Sequence, residues 1–309
     1  MSAQSVLFDA PGPKARRRHN ILTVVGALLA LLVLYVVVRR FQQAGQLDPS
    51  LWKPFVTEPA VWTEYLLQGL WGTIKAALLS IVFAGVFGLV FGMGRLSESK
   101  PIRWISGVVV EFFRAVPVLI MMIIFGLGLY PQLDLIPDSL VPLAGVVTAL
   151  TLYNGAVIAE LVRSGVFGLP KGQAEAGLSI GLTPGQTLRT IQMPQALTAM
   201  LPALISQFVV ILKDSALGYG ILYTELLTWG KTLGSAYGNT VPAYMVVGLI
   251  FILMNFGLTK LASVVEKRLK RRGRSTVPAP VAVPLAGGNA EMLTIAPQAD
   301  DPPTKGQGS

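Results

Sequence analysis

Glu160-Leu161-Val162-Arg163-Ser164-Gly165-Val166-Phe167-Gly168-Leu169-Pro170-Lys171-Gly172-Gln173-Ala174-Glu175-Ala176-Gly177-Leu178-Ser179-Ile180-Gly181-Leu182-Thr183-Pro184, running on to Ile191-Gln192-Met193-Pro194, is a polar run set between two long apolar blocks. Pro170 suits a first helical turn, where its missing N–H would go unbonded anyway, and Gly181 accepts the positive φ that closes a helix. Thr183-Pro184-Gly185-Gln186 restarts the chain with a Thr cap, Pro at the first position and Gln placed to return the hydrogen bond. The spacing predicts helix, tight turn, helix, both short and amphipathic. So small a pair cannot bury its own apolar side chains, so Ala176, Ile180, Leu188 and Ile191 need a surface to rest on.

The chain around this run is built for a bilayer. Of its 309 residues 52% are hydrophobic and 13% charged, with a mean hydropathy of +0.61, too little charge to cover a soluble surface. Without cysteine it has no disulfide and no thiolate metal site or nucleophile. The single histidine, His19, sits in the basic tail beside Arg16, Arg17 and Arg18, which gives no metal site. Gly230-Lys231-Thr232 lacks the glycine that a phosphate-binding loop needs five positions earlier, where Glu225 stands. No nucleophile–base or metal-ligand cluster stands out, so a membrane enzyme is not expected.

Six apolar blocks predict an all-α polytopic membrane protein of about six transmembrane helices, near residues 21–38, 66–93, 105–129, 140–162, 196–212 and 241–265. The first exceeds the apolar core of a cleaved signal, and Arg39-Arg40 replaces a cleavage site, so it is retained as an anchor. Ala84, Gly88 and Gly92 recur every four residues and predict close helix packing. Lys and Arg concentrate in residues 1–20, 94–104, 163–189 and 267–272, and few lie in the intervening loops. By the positive-inside rule both termini and the 170–194 run face the cytoplasm. Residues 1–20 read as a basic cytoplasmic tail, 39–65 as an outer linker, and the Pro-, Ala- and Gly-rich residues 273–309 as disordered.

Glu175-Ala176-Gly177, Gly181, Ile191 and Met193-Pro194 resemble the Glu-Ala-Ala loop of membrane subunits of ATP-binding-cassette importers, with Gly177 for the third Ala and Met193 for Leu. Leu67-Gln68-Gly69-Leu70-Trp71-Gly72-Thr73-Ile74, Phe112-Phe113-Arg114-Ala115-Val116-Pro117, residues 152–165, Pro170-Lys171-Gly172-Gln173 and Lys213-Asp214-Ser215-Ala216-Leu217 resemble the polar-amino-acid permeases within that family, and the likeness runs over residues 66–272. It extends to the longer permease subunit of glutamate importers. Residues 21–38 are then an addition to a five-helix permease core. The resemblance implies that Lys171, Gly172, Gln173, Glu175, Ala176, Gly177, Gly181 and Pro194 form the coupling helix that docks on an ATPase. It also implies an ATPase dimer that holds the ATP, a second permease subunit of related but non-identical sequence, an extracytoplasmic solute-binding protein and a bacterial plasma membrane. No cofactor is expected in this chain and no nucleic acid as partner. The competing reading is a secondary transporter or channel that works without ATP.

A charge in hydrocarbon costs roughly 2.5–3.5 kcal/mol against about 0.3–0.6 gained per Leu or Ile, so ionisable residues inside spans should face protein or water. Glu160 and Arg163, one turn apart, read as a structural pair. Glu111 and Arg114 share that spacing and serve either as a packing pair or in the substrate pathway. Lys213 and Asp214 break a span, as an element of a pathway or gate would. Lys75 lies inside its span, either to meet an anionic substrate or to reach the interface along its own stem. Tyr153 and Asn154, beside Gly155, bond either a substrate or another helix.

Overall fold

A computed structural model describes residues 12–133 and 136–274. Of the tail expected over residues 273–309, the first two residues belong to the last helix, which runs to Arg274, and residues 275–309, like residues 1–11, lie outside the described residues. Among those described there is no strand. Besides two single turns at Pro49–Trp52 and Pro54–Thr57, the helices in chain order are α1 (Pro13–Gln43), α2 (Val61–Arg95), α3 (Lys100–Ala115), α4 (Val118–Gln132), α5 (Asp138–Phe167), α6 (Gly172–Ser179), α7 (Pro184–Ile221), α8 (Leu226–Ala236) and α9 (Thr240–Arg274). Five of them, α1, α2, α5, α7 and α9, are long and apolar enough to cross a bilayer, and α3 with α4 makes a sixth span if counted together.

That pair corrects the single span expected over residues 105–129. The axes of α3 and α4 meet at 96°. Pro117 offers no N–H, and the residue before a proline is driven out of the α region. Val116 is accordingly extended (φ −84°, ψ 126°), as is Pro117 (φ −57°, ψ 131°). Apolar continuity on either side hid the break.

The core is built around α5, whose residues Val146, Ala149, Leu150, Ile158 and Val162 are buried. Its most extensive partner is α2. Gly88 backs onto Ile158 and Gly92 onto Val162 so closely that a Cβ on either would collide, and the expected small-residue stripe is the seam between the two helices. α3 joins the seam through Val110, packed with Ala156 and Ala159. At the opposite end of α2, the Tyr223 hydroxyl donates to the Gly72 carbonyl (2.8 Å), and Thr73 Oγ1 accepts from Leu226 N (3.1 Å). Glu225 then caps α8, accepting from the backbone N–H groups of Leu227 and Thr228 at 2.7 Å each. Burial pushes the Glu225 carboxyl above its ordinary range, opposed by those donors. α1 is different: none of its residues is buried.

Candidate functional site: the coupling loop and the ion network behind it

The polar run folds much as its capping residues dictate. α6 ends at Ser179, and Gly181 takes φ +83°. Thr183 Oγ1 accepts from Gln186 N (3.3 Å) while Gln186 Oε1 accepts from Thr183 N (2.9 Å), a complete capping box. One expectation is corrected. The second helix is not short: it continues through a wide turn at residues 188–192 into the membrane span, so α7 begins at Pro184 rather than near residue 196.

The four apolar residues expected to need a common surface divide. Leu188 packs against the main core, and Ile191 lies against Gly177, so both are settled within the chain. Ala176 and Ile180 remain exposed together with Leu178; Ile180 keeps 75% of its surface and Leu178 48%. Lys171, Gly172, Glu175, Gly181 and Pro194 are also exposed, Gln173 is half-buried and accepts from Gln195 Nε2 (2.9 Å), and Gly177 is buried. Gly177 is needed there: a Cβ would stand 2.5 Å from Thr187 Cγ2 and 2.7 Å from its Oγ1. One of the two residues that depart from the family pattern is thus the point where α6 rests on α7.

Behind the loop lies a network that no single-helix spacing reveals. Arg163 donates from Nη2 and Nε to Glu160 Oε1 at 2.6 and 3.1 Å, the expected pair. Arg95, at the end of α2, reaches Glu160 Oε2 at 2.8 Å and Glu111 Oε1 at 3.2 Å. Its Nη1 lies off the hydrogen-bond direction to Glu160, so that contact is electrostatic. Arg114 stands 3.6 Å from Glu111 and 4.0 Å from Glu160. Three arginines and two glutamates therefore tie α2, α3 and α5 together, and Glu111 and Arg114 belong to this knot rather than to a separate pair. Sequence reasoning left Arg95 among the loop cations, since nothing in the spacing of α2 points it at α3 and α5.

A cavity of about 1110 Å³ separates this knot from the loop, lined by Arg95, Arg103, Lys171 and Arg189 with Glu98 and Glu175. Of the other expected pathway residues, Asn154 is buried, donating to the Leu150 carbonyl (3.0 Å) and accepting from Gln207 of α7, and Tyr153 packs at the core. Lys213 is exposed and Asp214 half-buried where α7 tightens into its last, narrower turns. Lys75 is half-buried, and among the described residues neither it nor Lys213 makes an ion pair.

Residues 84–271 match the model of a family described as "Binding-protein-dependent transport system inner membrane component". The chain is 50% identical over 231 residues to the glutamate transport system permease protein GluD of Corynebacterium glutamicum, covering 75% of this chain and 84% of that one. It is 31% identical over 207 residues to the L-cystine transport system permease protein TcyB of Bacillus subtilis, covering 67% and 87%. Among solved structures it is similar to an amino acid ABC transporter crystallised with histidines, with a TM-score of 0.61 and 29% identity, covering 67% of this chain and 95% of that chain. The helical core, the loop and these likenesses agree: the chain belongs to the family of inner-membrane permease components of binding-protein-dependent, ATP-binding-cassette transport systems.

Proposed function

We propose that this chain is one permease subunit of an ATP-driven importer of glutamate in a bacterial plasma membrane. The likeness at 50% identity to a glutamate permease supports the substrate. Both termini and the 170–194 loop face the cytoplasm, as the distribution of Lys and Arg supports. ATP is bound and hydrolysed on a separate ATPase dimer, a solute-binding protein delivers glutamate from outside, and a related second permease completes the pathway.

The single observation that carries the coupling role is the exposure of Ala176, Leu178 and Ile180 at the tip of a capped helix-turn-helix whose Leu188 and Ile191 are already half-buried within the chain. It fits a groove on the ATPase. ATP shifts the transporter between its states only by favouring one docked arrangement over the other.

The test is uptake of labelled glutamate by proteoliposomes holding the chain with its partners. Uptake should require ATP and the solute-binding protein. Glu175→Lys adds a cation to a cavity already rich in them, and Gly181→Asp strains the turn. Each should leave the protein in the membrane and its partners' ATPase active while cutting uptake by about tenfold or more, the loss of some 1.4 kcal/mol of coupling. Uptake without ATP but driven by an ion gradient would overturn the proposal.

A further inference from the structure

α3 is one-sided about its axis. Ser106 and Val110 are buried, while the opposite arc is made of Trp104, Ile105, Val108 and Phe112, all exposed, with Trp104 keeping 70% of its surface and Phe112 59%. Between the two arcs, at helical spacing, runs a strip of charge formed by Lys100, Arg103, Glu111 and Arg114.

The depth of this pattern follows from its neighbours. Ser106 backs onto Gly94, and the Phe113 ring stands 6.1 Å from that of Phe87. Gly94 and Phe87 are as far apart in sequence as Ser106 and Phe113, so α3 runs antiparallel alongside α2. α2 ends at Arg95, next to Gly94, whereas α3 reaches back from Ser106 to Lys100. Lys100 and Arg103 therefore stand past the end of that span, at the edge of the hydrocarbon. From Lys100 to Phe112 the helix covers about 18 Å, a little more than one leaflet of a layer ~30 Å thick.

Along that length lies a groove of about 830 Å³, with Lys100, Arg103 and Trp104 at its head and Gly107, Val108 and Phe112 along its floor. Gly107 makes the notch, since a Cβ there would meet nothing within 4 Å. Arg103 is steadied by donating Nη1 to the Ser97 carbonyl (2.9 Å), and among the described residues neither it nor Lys100 makes an ion pair. A guanidinium fork beside an ammonium suits a phosphate, and an indole suits the interface just below it. Glu111, on the flank of the groove, has its carboxylate engaged by Arg95 at 3.2 Å and Arg114 at 3.6 Å, which offsets its charge. A zwitterionic headgroup brings its own cation to its phosphate and gains less from this pair.

We infer that the groove on α3 holds one anionic phospholipid, its phosphate on Lys100 and Arg103 and an acyl chain along Gly107, Val108 and Phe112. The lipid then lies against the flank of the network that ties α3 to α2 and α5, so binding it stabilises the folded transporter. The site requires only that α3 lie in a bilayer, and stands whatever the cargo.

The test uses the whole transporter in an uncharged detergent, given phosphatidylglycerol, phosphatidylcholine or inorganic phosphate and followed by native mass spectrometry and thermal unfolding. Phosphatidylglycerol should be retained about thirtyfold better than phosphatidylcholine, about fivefold for each cation, and should raise the melting temperature by about 2–4 °C. Lys100→Gln should lower that preference about fivefold, and adding Arg103→Gln should abolish it. Arg39→Gln with Arg40→Gln removes the same charge from α1 and should preserve it. Gly107→Phe fills the notch and should weaken retention of phosphatidylglycerol although both cations remain. Equal retention of the two lipids would overturn the inference, as would an equal loss from the Arg39 and Arg40 pair, since bulk charge would then explain the binding. Undiminished retention in Gly107→Phe would place the acyl chain elsewhere and overturn it too, and so would an equal rise in melting temperature with inorganic phosphate, which would make the ligand a free anion.

Discussion

Gly177 stands where importers of this kind are expected to carry alanine, and on sequence grounds the change reads as a slight weakening of a helix. Its neighbours give it another meaning, because Thr187, buried on α7, occupies the space a methyl group would take. Gly177→Ala gains about 1 kcal/mol of helix propensity but forces Thr187 or the helix to move, which costs about 1–3 kcal/mol. The variant should melt lower than the parent, and adding Thr187→Ser, which removes one of the two colliding groups, should recover most of the loss in a thermal-unfolding assay of the detergent-solubilised complex. Glu160 offers a second test. Its carboxylate faces Arg95, Arg114 and Arg163 at once and keeps 23% exposure. Glu160→Gln leaves three cations with only the Glu111 carboxylate among them and should cost about 2 kcal/mol, less than the 3–5 kcal/mol of a fully buried pair. Arg163→Gln, which removes only one of several partners, should cost less in the same assay.

At the level of the helix, local chemistry was legible wherever it acts within a few residues. Thr183 and Gln186 announced a capping box, Gly181 announced a left-handed turn, and both are present. What depends on distant contacts was not: no residue between Gln186 and Ala196 signals that the second helix of the polar loop runs on into the membrane, and the apolar residues flanking Pro117 masked a right-angle break. Thr198, Ala199, Pro202 and Ser206, exposed on α7, have a readable period, yet the sequence does not say which side of that helix the core leaves bare. Because the box holds the first turn of α7, Thr183→Ala should cost about 1 kcal/mol locally. Amides of residues 186–188 should then exchange with deuterium about five- to tenfold faster, while those of α5 remain unchanged.

For the chain as a whole, composition and charge pattern announced a membrane protein of about six spans, and the described residues hold five such helices and one bent pair. The network of Arg95, Glu111, Arg114, Glu160 and Arg163 could not be announced, since it joins three helices far apart in sequence. α1 contributes no buried residue to the rest. Removing residues 1–43 should therefore leave the melting temperature of the remaining core within about 2 °C of the parent, the change expected when almost no stabilising contact is lost; a large drop would mean that α1 is held by the core after all.

The unbroken course of α7 has a mechanical side. From its capped start to Ile221 it is about 57 Å long, so a tilt of only ~5° imposed at the cytoplasmic end displaces the opposite tip by ~5 Å. Pro202 sits halfway along, where a missing hydrogen bond softens the shaft. If a partner pushes on α6, the length of α7 would amplify the movement and the softened middle could absorb or pass it on, so that one helix would act as both lever and clutch.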